Sequence, residues 1–202
     1  MKLIAIQQSE ELRAKYVAEI SQYTPNMLLF VDETGSTRKD AIRKFGYSLR
    51  GMPCYSTKLL AKGKRVSAIA ALSLEGVVDV TFVHGSVDGD TFANFVELSL
   101  LPHLLPFNGI NHNSVVVMDN ASVHYNARVE RLISSVGALL VHLPPYCPDL
   151  NPIEESFSAV KSFLRAHEVL VNTPKDIEHI LLMAFASVSP DDCYGWFSHS
   201  GY

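Results

Sequence analysis

Asp32 closes the apolar run "MLLFV", and Asp119 closes the run "SVVVM". Two adjacent glutamates, Glu154 and Glu155, open a helical pattern behind the proline-rich loop of "LPPYCPDLNPIEESF", residues 143–157. If the two apolar runs are neighbouring strands, the aspartates leave them about 4.8 Å apart. Carboxylates that close repel unless a cation lies between them. Magnesium suits such a place, because it takes one or two carboxylates plus waters and substrate phosphate. Two ions about 3.5–4 Å apart would clamp the attacking and leaving oxygens of a phosphoryl transfer. The rigid loop would then serve to fix the helix start, so that a glutamate reaches metals held by the aspartates. Each acid alone has a plainer reading. An aspartate after a strand often forms a turn, and a glutamate in a first helical turn complements the helix dipole. The chemistry rests on the combination.

Helix geometry separates the two glutamates. Successive residues are about 100° apart, and Ile153, Phe157, Val160 and Leu164 share one face that must be buried. Glu155 falls almost opposite that face and is expected to point to open solvent. Glu154 falls at its edge, where a side chain can meet a strand end. Ser158, Lys161 and Arg165 lie on the same stripe, and the two bases suit an approaching phosphate backbone.

Several elements must position these groups. A helix is expected over 10–22, with Leu12, Tyr16 and Ile20 near one face. Strand 27–31 follows, then a polar stretch 33–64 of loop and turns. Residues 65–74 and 77–83 are β-rich and flank Glu75-Gly76, which predicts a hairpin. Asp90 is placed to cap a helix running to about Leu104. The run 114–118 is apolar throughout, as a strand covered on both faces should be. A helix from about Asn126 to Val136 carries Val129, Leu132, Ile133 and Val136 inward, and Gly137 closes it. Strand 138–143 leads into the loop. Asn151 reads as the cap of a helix from Pro152 to about Ala166, with Pro152 at its first position. The last helix is expected from Thr173-Pro174, with Ile177, Ile180, Leu181 and Ala184 on one face. This order defines an α/β (α+β) chain, a mixed sheet with helices packed on it.

With 202 residues, 48% hydrophobic and 19% charged, the chain is expected to form one globular domain. No apolar run reaches the roughly 18–20 residues of a membrane helix, and the first residues do not read as a signal peptide. Cys54, Cys147 and Cys193 are widely spaced and odd in number, against a disulfide framework or zinc site and in keeping with a reducing compartment. The net charge of −4 hides an uneven distribution. Residues 38–65 carry +8, including Arg38, Lys39, Arg43, Lys44 and Arg50, and the remainder carries −12. Such a segment suits a polyanion partner, or it is a solvated loop surface.

The segments "FVDETG" (30–35), "RKFGYSLRG" (43–51), "VVVMDNASVH" (115–124) and "LPPYCPDLNPIEESF" together resemble the DDE transposases of the mariner superfamily, including bacterial insertion-sequence relatives. The resemblance runs in order from about residue 10 to the closing "GWFSHSGY". It assigns the acidic triad to Asp32, Asp119 and Glu154, with thirty-four residues between the last two, a spacing the superfamily uses. It implies a ribonuclease-H-like fold, a five-stranded mixed sheet flanked by helices whose first and fourth strands are neighbours. It also implies DNA cleavage and strand transfer with Mg2+ or Mn2+, two ions, and water and then a DNA 3′-hydroxyl as nucleophile. Transposon ends and target DNA would be the partners, and a homodimer is compatible with this. Asn120 and His124 match family positions beside the second aspartate, with supporting roles such as orienting Asp119 or touching phosphate. For His124 a helix-start or core histidine is an equal reading. Cys147 stands where the family often has serine and reads as structural.

One departure concerns the N-terminal side. Family members carry helix-turn-helix domains there, whereas residues 1–24 match only a connecting helix and residues 25–202 the catalytic domain. The chain is thus expected to be a catalytic domain without its sequence reader, truncated or domesticated, in the nucleus of a eukaryote or the cytoplasm or nucleoid of a bacterium. The competing readings are a non-catalytic relic that binds DNA or protein, and another ribonuclease-H-like nuclease such as an RNA–DNA hybrid cleaver. The latter fits the acids but not "PDLNPIE".

Overall fold

The computed structural model describes residues 8–42, 45–55, 65–121, 124, 126–171 and 177–202. Helix α1 (Glu10–Ile20) starts at Ser9, whose hydroxyl accepts the Leu12 N–H. Tyr16 and Ile20 are buried, but Leu12 is 44% exposed. The helix is held by its second half, where Tyr16 meets Tyr202, their hydroxyls 2.6 Å apart.

Strand β1 (Leu28–Ser36) outruns its apolar stretch. Leu28–Val31 pair in parallel with β4 (Val115–Met118), while Phe30–Ser36 pair antiparallel with β2 (Val66–Ser73). Asp32 therefore lies within the strand rather than at its end. The apolar run marked only the part that pairs with β4. Beyond it, one edge opens and polar residues enter. The hairpin of β2 and β3 (Gly76–His84) forms as expected, with Gly76 at φ +141° in the turn. Only glycine takes such a backbone readily.

Asp88, not Asp90, caps α2 (Gly89–Phe95), accepting the Thr91 N–H at 2.8 Å. The chain then widens by one turn over Val96–Leu100 and tightens over Leu101–His103. α3 (Ala127–Ser135) is capped by Asn126 and ends before Gly137 at φ +77°. β5 (Leu139–His142) leads to α4 (Pro152–Ala166), then α5 (Glu168–Val171) and α6 (Ile177–Ala186). The expected start of the last helix at Thr173-Pro174 lies outside the described residues. α6 is not last, because α7 (Pro190–His199) follows it. Ser189 and Asp192 cap α7 reciprocally, a spacing that is itself a helix-start signal.

The sheet order is β3-β2-β1-β4-β5, with β1, β3, β4 and β5 running one way and β2 the other. Alternate side chains along a strand face opposite ways, and the sheet is covered on both sides. Leu28, Phe30, Ala70 and Val117 pack with α4, α6 and α7. Leu29, Val31, Ile69 and Met118 pack with α2 and α3. α4 buries Ile153, Phe157, Val160 and Leu164, as its sequence required. No helix of the described residues is long and apolar enough to cross a membrane.

Candidate active site

The parallel ladder between β1 and β4 pairs Val31 with Met118 and stops. Asp32, still within β1, and Asp119, the first residue past β4, come next. They line a cleft of about 520 Å³ together with Asn120, Tyr146, Asn151 and Glu154. A larger groove of about 1290 Å³ between α1, α4 and α7 adjoins it and shares Asn151 and Glu154, but holds neither aspartate. The cleft is therefore the place where the acids can do chemistry.

Each aspartate is fixed differently. Asp32 is buried and follows Phe30 by two residues, so it faces the α4 side. Its Oδ1 accepts the Glu33 N–H at 2.7 Å, and its Oδ2 accepts the Asn151 side-chain amide at 2.8 Å. The sequence places Asn151 as the cap of α4, yet its side chain makes no capping bond. Its Oδ1 is buried without a donor among the described residues. Asp119 is more open, and its Oδ1 accepts the Ala121 N–H at 2.8 Å.

Glu33 faces the other side of the sheet. There His124, fully buried against the Phe92 ring, stands 2.7 Å from Glu33 Oε2 through Nε2 and 2.6 Å from Asp119 Oδ1 through Nδ1. His124 thus bridges Asp119 and Glu33 across the sheet. The Asn120 amide donates to the Leu143 carbonyl and ties the exits of β4 and β5 together.

The charges divide sharply. Burial, then the nearness of Asp119, pushes the Asp32 carboxyl up to about 8. Burial also pushes Asp119 upward, but the His124 hydrogen bond and the Ala121 N–H outweigh it, and the group ends below its ordinary value. For His124, burial favours the neutral ring, but Asp119 and Glu33 overcome this and raise it to about 10. Burial raises Glu154, Lys161 opposes that rise and Asp119 adds to it.

Ligand atoms of Asp32, Asp119 and His124 all lie within 4.8 Å of one another. Both nitrogens of His124 face carboxylates, which leaves the carboxylate oxygens for a cation. An oxygen donor set with two carboxyl groups held this close fits magnesium or manganese. Glu154 lines the cleft and is felt electrostatically by Asp32, but it stands outside that close cluster. Glu155 does not point to open solvent. It is half-buried and paired with His199 Nδ1 at 2.7 Å, because α7 packs beside the start of α4.

Of the basic residues, Lys39 and Arg50 are exposed, and the turn Arg38–Ala41 packs beside α4. That helix carries Lys161 and Arg165, which are half-buried. Arg43 and Lys44 lie outside the described residues. Two functional candidates escaped the sequence reading: Glu33, and Asn151 in its bonded role. For Glu33 the signal was available, since strand alternation sends it to the face opposite Asp32.

A mixed five-stranded sheet in the order β3-β2-β1-β4-β5 with helices on both faces is the ribonuclease-H-like fold. The chain belongs to the DDE superfamily endonuclease family, which matches residues 27–175. No curated protein matches it in sequence. Three similar solved structures carry the fold. The mariner Mos1 paired end complex with Mg has a TM-score of 0.74 at 15% identity, over 98% of this chain and 61% of that one. The Mos1 transposase paired-end complex with left transposon end has 0.70 at 15%, over 98% and 61%. The catalytic domain of Mos1 mariner transposase has 0.64 at 14%, over 98% and 90%. The chain thus spans about three fifths of the longer transposase chains and most of the catalytic domain.

Proposed function

We propose that this chain is a transposase-type catalytic domain of the mariner kind, which cuts DNA and transfers strands with a divalent cation. The observation that carries the reading is the pair of aspartates beyond the end of the β1–β4 ladder, with Asp32 buried and raised to about 8. A carboxyl held there is costly to ionise alone and favourable to ionise against a cation. Asp32, Asp119 and Glu154 would hold magnesium or manganese, two ions in the fullest form. The bound metal would supply charge neutralisation at phosphate and a nucleophilic oxygen at neutral pH.

The chain's own groups do the rest. Asn151 and the Glu33 N–H hold the Asp32 oxygens in place. His124, anchored by Glu33, holds Asp119. Lys161 stands near Glu154 and offers charge to a phosphate. Lys39, Arg50 and Arg165, with Arg38, Arg43 and Lys44 from the same basic groups, would contact the DNA backbone without reading sequence. The left transposon end named for a Mos1 complex supports DNA as partner, and a homodimer would bring two ends together. On this reading residues 1–24 connect and 25–202 catalyse.

The test is cleavage of supercoiled DNA with magnesium or manganese against a chelated control. Nicking should require metal and vanish in Asp32→Asn and Asp119→Asn. Nicking that survives chelation, or survives both substitutions, would overturn the reading.

A further inference from the structure

The segment 195–202, "GWFSHSGY", stands outside the acidic cleft. It ends α7 in a defined turn. The Gly201 N–H donates to the Ser198 carbonyl at 3.2 Å and the Tyr202 N–H to the Phe197 carbonyl at 2.9 Å, with Gly201 at φ +94°. This is the paired-bond helix ending that glycine permits. It folds Tyr202 back along the helix, its ring 6.2 Å from that of Phe197.

Tyr202 touches both of the elements that meet at the bond between Asp32 and Asn151. Its ring lies 5.0 Å from that of Phe30, two residues before Asp32 and on the same face of β1. Its hydroxyl donates to the Leu150 carbonyl at 2.6 Å, one residue before Asn151. With that hydrogen committed, the Tyr16 hydroxyl, 2.6 Å away, is the donor between the two phenols. Tyr16 is buried on α1, so the Tyr202 hydroxyl is held from both sides. The ring contacts by themselves need only a phenylalanine. What the hydroxyl adds is a fixed distance between the Leu150 backbone and β1. Asn151 depends on that distance, because its side chain makes no cap on α4 and donates instead to Asp32. We propose that Tyr202 is a positioning residue for Asp32: through Leu150 it sets Asn151 within reach of the carboxyl that would hold the cation. The inference rests on the metal-dependent reading above.

Calorimetric titration with manganese gives the first arm of the test. Tyr202→Phe keeps the ring and should bind manganese about fivefold more weakly, the factor that one ordinary hydrogen bond carries. In the Asn151→Ala background Tyr202→Phe should cost no further affinity, because the path to Asp32 is already cut. Any loss of melting temperature, which reads the fold alone, should be the same in both backgrounds. The metal-free chain gives a second arm. Followed by nuclear magnetic resonance, the Asn151 side-chain amide protons should exchange with water several-fold faster in Tyr202→Phe than in the wild type. Unchanged manganese affinity or unchanged amide exchange in Tyr202→Phe would overturn the inference, and so would an equal loss of affinity that persists in Asn151→Ala. In those cases a wild type that binds manganese and nicks DNA keeps the transposase reading, and only the positioning role falls. A wild type that does neither takes the transposase reading down as well.

Discussion

Asn151 donates its side-chain amide to Asp32 across 2.8 Å, joining the start of α4 to the middle of β1. The bond gives up the local cap that an asparagine in this position would ordinarily make. It also explains the rigid loop, whose prolines and α1 partners set where Asn151 can reach. Arg13 grips Asp149 with both nitrogens, and Tyr202 donates to the Leu150 carbonyl, one residue before Asn151.

Asn151→Ala should therefore act on the metal site more than on the fold. Loss of a group that orients a ligand weakens metal binding about 10–100-fold, against about 1–3 kcal/mol of stability for the donor removed from a buried acceptor. Calorimetric titration with manganese and a thermal melt separate the two effects. Unchanged manganese affinity would remove Asn151 from the site.

Divalent cation should stabilise the chain. At a hundred times its dissociation constant, a ligand bound to one folded site adds about 2.7 kcal/mol. Asp119→Asn should lose most of that gain. An equal melting shift in wild type and variant would argue against the proposed metal site.

The pH dependence of the metal-free chain follows from two raised groups. Asp32 is raised to about 8, so its contribution is fully present below its ordinary value near 3.8 and is lost as pH rises through 8. His124 is raised to about 10, so its contribution is present below 6.5 and is lost as pH rises through 10. Both losses act between pH 6.5 and 8, and the melting temperature should fall across that window. Magnesium should flatten the fall, because it favours ionised Asp32. Asp32→Asn should flatten it without magnesium. A melting temperature that rises from pH 6.5 to 8 in the metal-free wild type would contradict the charge assignment.

The two glutamates of α4 should separate cleanly in assays. Glu154→Gln should abolish metal-dependent cleavage. Glu155→Gln should retain most of it and cost at most about 1 kcal/mol, since its partner His199 is largely exposed. A reversed pattern in the nicking assay would move the role to Glu155.

Neutralising Lys39, Arg50, Lys161 and Arg165 together should flatten the salt dependence of DNA binding. Each phosphate left without its cationic partner should reduce the slope by about one. Binding isotherms at several salt concentrations measure it. An unchanged slope would make these residues a solvated surface.

Short-range periodicity is written in the residues themselves, and the elements it governs were legible without coordinates. The apolar runs ending at Asp32 and Asp119, the hairpin about Glu75-Gly76 and the bounds of α4 are of this kind, because burial imposes a period of 2 on strands and 3.6 on helices. The motif segments carried the family. Partners came only with the tertiary arrangement. Strand order brought β1 beside β4, and that alone set Asp32 next to Asp119. Parity in β1 turned Glu33 to the opposite face, but only the return of the chain after β4 placed His124 there to receive it. Asn151 exchanged a local cap for a carboxylate distant in sequence, and Glu155 lost its open surface when α7 settled beside α4. Local propensity counts the bonds a residue can make with its neighbours in sequence. The choice among bonds to distant groups is made only when the sheet has closed and each buried donor and acceptor must find what is then within reach.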